Sequence, residues 1–231
     1  GLVWVNADDD CEPLGEYLGG VLDYLEDELS SEPMEIISYH KAIVNSNYKL
    51  WYDTNAELYH DFLHVHNRAI ALTQEGYWDR RIHTYPNGHI NVDSMECRYD
   101  AYHGNDGTQR SLGWPGGEVA CHKLIDVFPS TTLILRAPSF RLDTMVPLSP
   151  TKVIIEFRGF AIKSDTPEER AARRAEWERR VTEDIFGLRS GPQEVPRVSE
   201  NEATRQEILD HYTPPESKSM VSDSFVDQCM N

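Results

Sequence analysis

Three apolar runs follow one another late in the chain: TTLILRA, SFRLDTMVPL and KVIIEFRGFAI, between residues 131 and 162. All are rich in β-branched and aromatic residues, and the links between them are too short for a helical crossover. They therefore predict consecutive antiparallel strands, with Ser149-Pro150 marking the last turn. IHTYPNGHINVD adds a hairpin signal, because Asn87-Gly88 suits a type I′ turn that needs positive φ at both central residues. His83 and His89 flank that turn and are expected at the surface. LVWVN (Leu2–Asn6) and MEIISYHKAIV (Met34–Val44) also read as strands. NYKLWYD continues as strand or enters a helix.

Helical periodicity marks PLGEYLGGVLDYLED, with Pro13 at the first helical position, and a stretch from about Thr54 to Leu72 free of Pro and Gly. SDTPEERAARRAEWERRVTED predicts a charged helix capped by Ser164 or Asp165. HGNDGTQRSLGWPGGEV is a Gly-rich loop. A short helix is expected near Glu202–Tyr212, and the tail from Thr213 is expected to be loosely ordered. Mixed helices and strands with antiparallel neighbours late in the chain give an α+β class.

The 231 residues suffice for one domain with a substantial core. The net charge of −17 repels phosphate backbones, so no nucleic-acid partner is expected. No apolar run is long enough to span a membrane. Cys11, Cys97, Cys121 and Cys229 are scattered without a CxxC pair, which fits a reduced, cytoplasmic setting. The opening residues read as a strand entered within a larger protein, and a fragment is expected.

DTNAELYHDFLHVHNR (Asp53–Arg68) concentrates histidines and carboxylates. On a helix, Asp53, Glu57 and His64 fall at about 20°, 60° and 40° from His60, and His66 at roughly 240°. One reading is the wet face of an amphipathic helix. The other is a metal site. Two imidazoles a turn apart, completed by a remote carboxylate, suit non-haem Fe(II), which keeps positions free for O₂. A zinc hydrolase would want HExxH, and Asp61 follows His60.

NSNYKLWYDTNAELYHDFLHVH resembles the mononuclear-iron motif of Rieske non-haem iron oxygenase large subunits. Asn47-Tyr48-Lys49-Leu50 matches its N-W-K-L, and Glu57-Leu58-Tyr59-His60 matches its acid-x-x-His. GLVWVNADDDCEPLGEYLG is similar to the segment leaving the Rieske domain. MVPLSPTKVIIEFRGFAIKSDTPEER resembles the late strand pair that leads into the C-terminal helix. The family places its second histidine five residues after the first, where this chain has Val65. Either His64 or His66 serves, and helical geometry favours His64. The family's usual Asp is here Glu57.

The resemblance implies a helix-grip (START-like) fold, an antiparallel sheet with helices packed over it. It implies Fe(II) held by His60, His64 and Asp184, the last from VTEDIFG, with Glu183 beside it and Asp165 and Glu178 as poorer alternatives. Asp53 and Glu57 would orient the imidazoles. A 2Fe–2S cluster is expected in an upstream domain, because no C-x-H…C-x-x-H signature occurs here. Electrons would come from NADH through a reductase or ferredoxin. A homo-oligomer is expected, a trimer, with or without a small beta subunit. The substrate would be an aromatic acid or a small anion such as methanesulfonate. The competing expectation is a helix-grip binding module that holds no metal. Arg141 and Arg158 could bind a substrate anion or pair with Asp143 and Glu156 across strands; Cys121-His122 reads as structural.

Overall fold

The structure, a computed structural model, describes residues 2–57, 76–96, 112–117, 121–136 and 138–180. Seven strands build one sheet: β1 (Met34–Val44), β2 (Ile82–Thr84), β3 (Ile90–Glu96), β4 (Cys121–Val127), β5 (Thr131–Arg136), β6 (Ser139–Ser149) and β7 (Lys152–Ile162). Their order is β1-β7-β6-β5-β4-β3-β2, and every ladder is antiparallel. The helices are α1 (Leu14–Leu18), α2 (Glu26–Ser30), α3 (Tyr48–Asn55) and α4 (Pro167–Arg180). The α+β expectation is met.

Strand alternation divides the core in two. On one face Ile125, Val127, Leu133, Leu135, Phe140 and Leu142 pack with Val21 and Leu25, from the 3-10 segment Val21–Leu25. On the other face Met145, Val153, Ile155 and Phe157 pack with Tyr52 of α3 and Trp177 of α4. This second side is the α3 face below.

α4 is fixed at its start by a capping box. Thr166 Oγ1 accepts from Glu169 N, and Glu169 Oε2 accepts from Thr166 N. The cap is thus Thr166, not Ser164 or Asp165. Asp165 instead pairs with buried Arg173, whose Nη1 also donates to the Gly113 and Pro138 carbonyls. With Asp165 so engaged, its role as an alternative metal ligand finds no support.

Several sequence expectations change. Leu2–Asn6 is not a strand: Val3 and Val5 are exposed, and only Trp4 packs on the core. The helix expected after Pro13 is interrupted because Gly19 and Gly20 both take positive φ. Strand β4 was not anticipated. The helix expected to run on from Thr54 ends, as α3, at Asn55; Ala56 caps it and Glu57 lies outside it. The NG turn forms with positive φ at Asn87 and Gly88. His89, however, is fully buried: its Nδ1 accepts from Phe128 N and its Nε2 donates to Tyr17 O. His83 is exposed and pairs with Asp93 at 2.6 Å. The helix near residues 202–212 and the tail from 213 lie outside the described residues.

Candidate functional site

α3 forms where Asn47 caps it, its side chain accepting from Lys49 N. Its inner residues are pinned to the sheet. Tyr52 is buried and donates through Oη to the Gly88 and Asp126 carbonyls. Asn55, the last residue of α3, donates from Nδ2 to Asp126 Oδ1 and Thr132 Oγ1, each at 3.2 Å. The end of the helix is therefore fastened to β4 and β5, two residues before Glu57 and five before His60.

Beneath this end runs a row of paired positions across four strands: Asp126, Thr132, Asp143 and Phe157. The two carboxylates and the threonine are fully buried. Thr132 Oγ1 donates to Asp126 Oδ1. Burial pushes Asp126 up to about 8, against the pull of Thr132 and Asn55, and nearby Asp143 raises it further. Burial likewise pushes Asp143 up to about 6, opposed chiefly by Arg141. The next row along the sheet is Leu124, Ile134, Arg141 and Gly159. Arg141 Nε lies 3.0 Å from Asp143 Oδ1.

Arg141 and Arg158, expected in adjacent strands, point to opposite faces. Ser149 pairs with Lys152, but Pro147 pairs with Val153, a bulge that shifts the ladder by one residue. Arg141 then opposes Gly159, and Arg158 opposes Leu142. Arg158 donates to Thr144 and Glu156 on the far face. Both arginines have acidic partners, but each partner lies two residues away on its own strand. Glu156, held chiefly by Lys41, is depressed to about 2.

Of the expected site residues, Asp53 lies on α3 and is exposed, and Glu57 follows the helix end, half buried. His60, His64, His66, Glu183 and Asp184 lie outside the described residues. Among the described residues no group of three His, Cys, Asp or Glu is placed to hold a metal ion. Glu178 lies on α4 and is exposed. His122 pairs with Arg136 at 3.4 Å on the α3 face. Sequence reading missed Asn55, Asp126 and Thr132, and took Asp143 only as a pairing partner for Arg141. An acid within an otherwise strand-like CHKLIDV and another in SFRLDTM were the available signals. No described helix is long and apolar enough to cross a membrane.

A model of the ring hydroxylating alpha subunit (catalytic domain) matches residues 28–191. The chain is 45% identical over 173 residues to the methanesulfonate monooxygenase hydroxylase subunit alpha of Methylosulfonomonas methylovora, covering 75% of this chain and 41% of the relative. It is 34% identical over 173 residues to the 2-aminobenzenesulfonate 2,3-dioxygenase subunit alpha of Alcaligenes sp, covering 75% and 44%. The chain thus spans less than half the length of these curated relatives. Naphthalene 1,2-dioxygenase from Rhodococcus sp. superposes with a TM-score of 0.56 at 15% identity, over 96% of this chain and 52% of that one. A quaternary ammonium Rieske monooxygenase gives 0.55 at 12% identity, over 76% and 44%. The fold is shared with these proteins, as the helix-grip expectation required. This chain belongs to the family of ring hydroxylating alpha subunits, by their catalytic domain.

Proposed function

We propose that the chain is the catalytic part of an O₂-dependent hydroxylase, an oxidoreductase acting on an aromatic acid or a small anion such as methanesulfonate. The observation that carries this is the family match over residues 28–191, which spans the acid-x-x-His motif and both VTEDIFG acids. His60, His64 and Asp184 would hold Fe(II), with His66 as the alternative to His64. That donor set fits the metal: two neutral imidazoles and one carboxylate would leave a bound Fe(II) with net positive charge and with positions free for O₂.

The chain's own residues do the positioning. Asn55 and Tyr52 fasten α3 to β4 and β5, so the backbone enters the ligand motif from a fixed point. Glu57 and Asp53 would orient the imidazoles and set their tautomers. The buried row of Asp126, Thr132 and Asp143 on β4, β5 and β6 gives the end of α3 its polar footing on the sheet.

A 2Fe–2S cluster would belong to a Rieske domain upstream, fed by an NADH-dependent reductase or ferredoxin. A trimer, with or without a beta subunit, in the cytoplasm completes the proposal. The relatives support a longer parent protein, since the matched part is less than half of each.

The test is iron content after anaerobic reconstitution, with His60→Ala as control. Stoichiometric iron, lost in the variant, supports the oxygenase. A chain that holds no iron and is indifferent to His60→Ala is a helix-grip binding module. Zinc in place of iron marks a hydrolase.

A further inference from the structure

Arg173 and Arg141 both keep most of the side chain out of solvent, but they are treated very differently. Arg173 satisfies its donors with Asp165, Gly113 and Pro138. Arg141 has a side chain 12% exposed, with Asp143 Oδ1 3.0 Å from its Nε. Its guanidinium carbon stands 5.8 Å from the Phe157 ring centroid. Arg141 Nε is buried yet completes no hydrogen bond among the described residues, and neither do the two Asp143 oxygens. A largely buried guanidinium whose hydrogen bonding is left incomplete within the fold is a group available to a ligand.

The neighbouring groups share the shortage. Trp177 is 1% exposed, and its Nε1 has no hydrogen-bond partner among the described residues. That nitrogen lies over Gly159, the residue directly opposite Arg141 in the β6–β7 ladder. Trp51 meets the Phe157 ring edge-on at 5.7 Å, and its buried Nε1 also lacks an acceptor among the described residues. The α3 face therefore presents N–H groups from a guanidinium and two indoles around Phe157. In a chain of net charge −17, a local guanidinium is what an anion needs to enter. The planar Nη edge matches two oxygens of a sulfonate or carboxylate bidentately.

We propose that Arg141, held from behind by Asp143 and covered by Trp177, anchors the anionic head group of the substrate; this rests on the oxygenase reading above. The anchored chemistry is an oxyanion, sulfonate or carboxylate, with the rest of the substrate extending along the α3 face.

The experiment is calorimetric titration of the polypeptide carrying these residues with methanesulfonate, benzoate and the neutral dimethyl sulfone. The wild type should bind at least one anion and not the sulfone. Preference between the two anions identifies the head group. Arg141→Met should weaken anion binding by about 10- to 100-fold, the loss of one charge-assisted pair. Because that variant strands Asp143, the double variant R141M/D143N is measured beside it and should show the same loss with its fold intact. Arg158→Gln, on the opposite face, should bind as the wild type does. Trp177→Phe, which keeps the packing and removes the N–H, should bind more weakly by a few-fold. Equal affinity in the wild type and R141M/D143N overturns the anchor, as does equal binding of the sulfone, or no anion binding at all. Iron content is read on the same samples. Iron without an Arg141 effect sinks the anchor alone. An Arg141 effect without iron sinks the oxygenase reading and keeps an anion site.

Discussion

Trp177 lies against the sheet where a side chain at position 159 would project, so Gly159 and the indole fit only as a pair. A Cβ at 159 would come within 2.1 Å of Trp177 Nε1. Gly159→Ala should cost about 3 kcal/mol through overpacking of a rigid ring. Denaturant titration of the single variants and of Gly159→Ala with Trp177→Leu forms a double-mutant cycle. The cycle should show strong coupling, and additive losses would contradict the steric account.

Asp126 makes stability depend on pH in an unusual direction for a carboxylate. Its folded value is about 8, well above that of a free Asp, so the native state holds a proton that the unfolded state has lost. Stability therefore falls as pH rises between about 4 and 8. Asp126→Asn keeps an acceptor for Thr132 and Asn55 and removes the titration. The stability gap in favour of the variant should widen by at most about 1.4 kcal/mol per pH unit across that window. Parallel curves for the two proteins would show that Asp126 is ionised in the fold.

Asn55→Ala frees the end of α3 from β4 and β5. Loss of two hydrogen bonds at a partly buried site should cost about 1–3 kcal/mol and lower Tm by roughly 2–10 °C in a chain of this size. If α3 delivers the metal motif as proposed, iron content should fall with it. Calorimetry and metal analysis on one sample separate the two effects.

Arg173 joins Asp165 to the Pro138 and Gly113 carbonyls beneath α4. Arg173→Met should cost about 3–5 kcal/mol by leaving Asp165 buried without its counter-charge. Arg173→Lys should restore little, because one ammonium cannot reach all three partners. Full rescue by Lys in a thermal unfolding series would contradict the fork geometry.

The long strands β1, β6 and β7, the shorter apolar β5 and the NG turn were legible because each follows a strong local rule. What failed was set by contacts between distant residues. CHKLIDV hid a strand because it carries Lys123 and Asp126, and Asp126 is tolerated only through Thr132 and Asn55 from other elements. His89 looked exposed beside a turn, yet Tyr17 and Phe128 close over it. The faces of Arg141 and Arg158 turn on one bulge near Leu148: counting back from the Ser149–Lys152 pair alone would put both arginines on one side. The helix counted on from Asp53 stops at Asn55, before Glu57, where the Asn55 side chain bonds to the sheet; His60 lies outside the described residues. The family motif reached the candidate ligands by a route that such local counting could not supply.

The most direct test of the central claim is metal analysis of the anaerobically reconstituted chain, wild type beside His60→Ala, His64→Ala, His66→Ala and Asp184→Ala. The proposal expects about one iron per wild-type chain and near-complete loss in the His60, His64 and Asp184 variants, with His66→Ala unchanged; the reverse pattern at 64 and 66 would make His66 the ligand. Full iron retention after loss of His60 or Asp184, or no iron in the wild type, would contradict it.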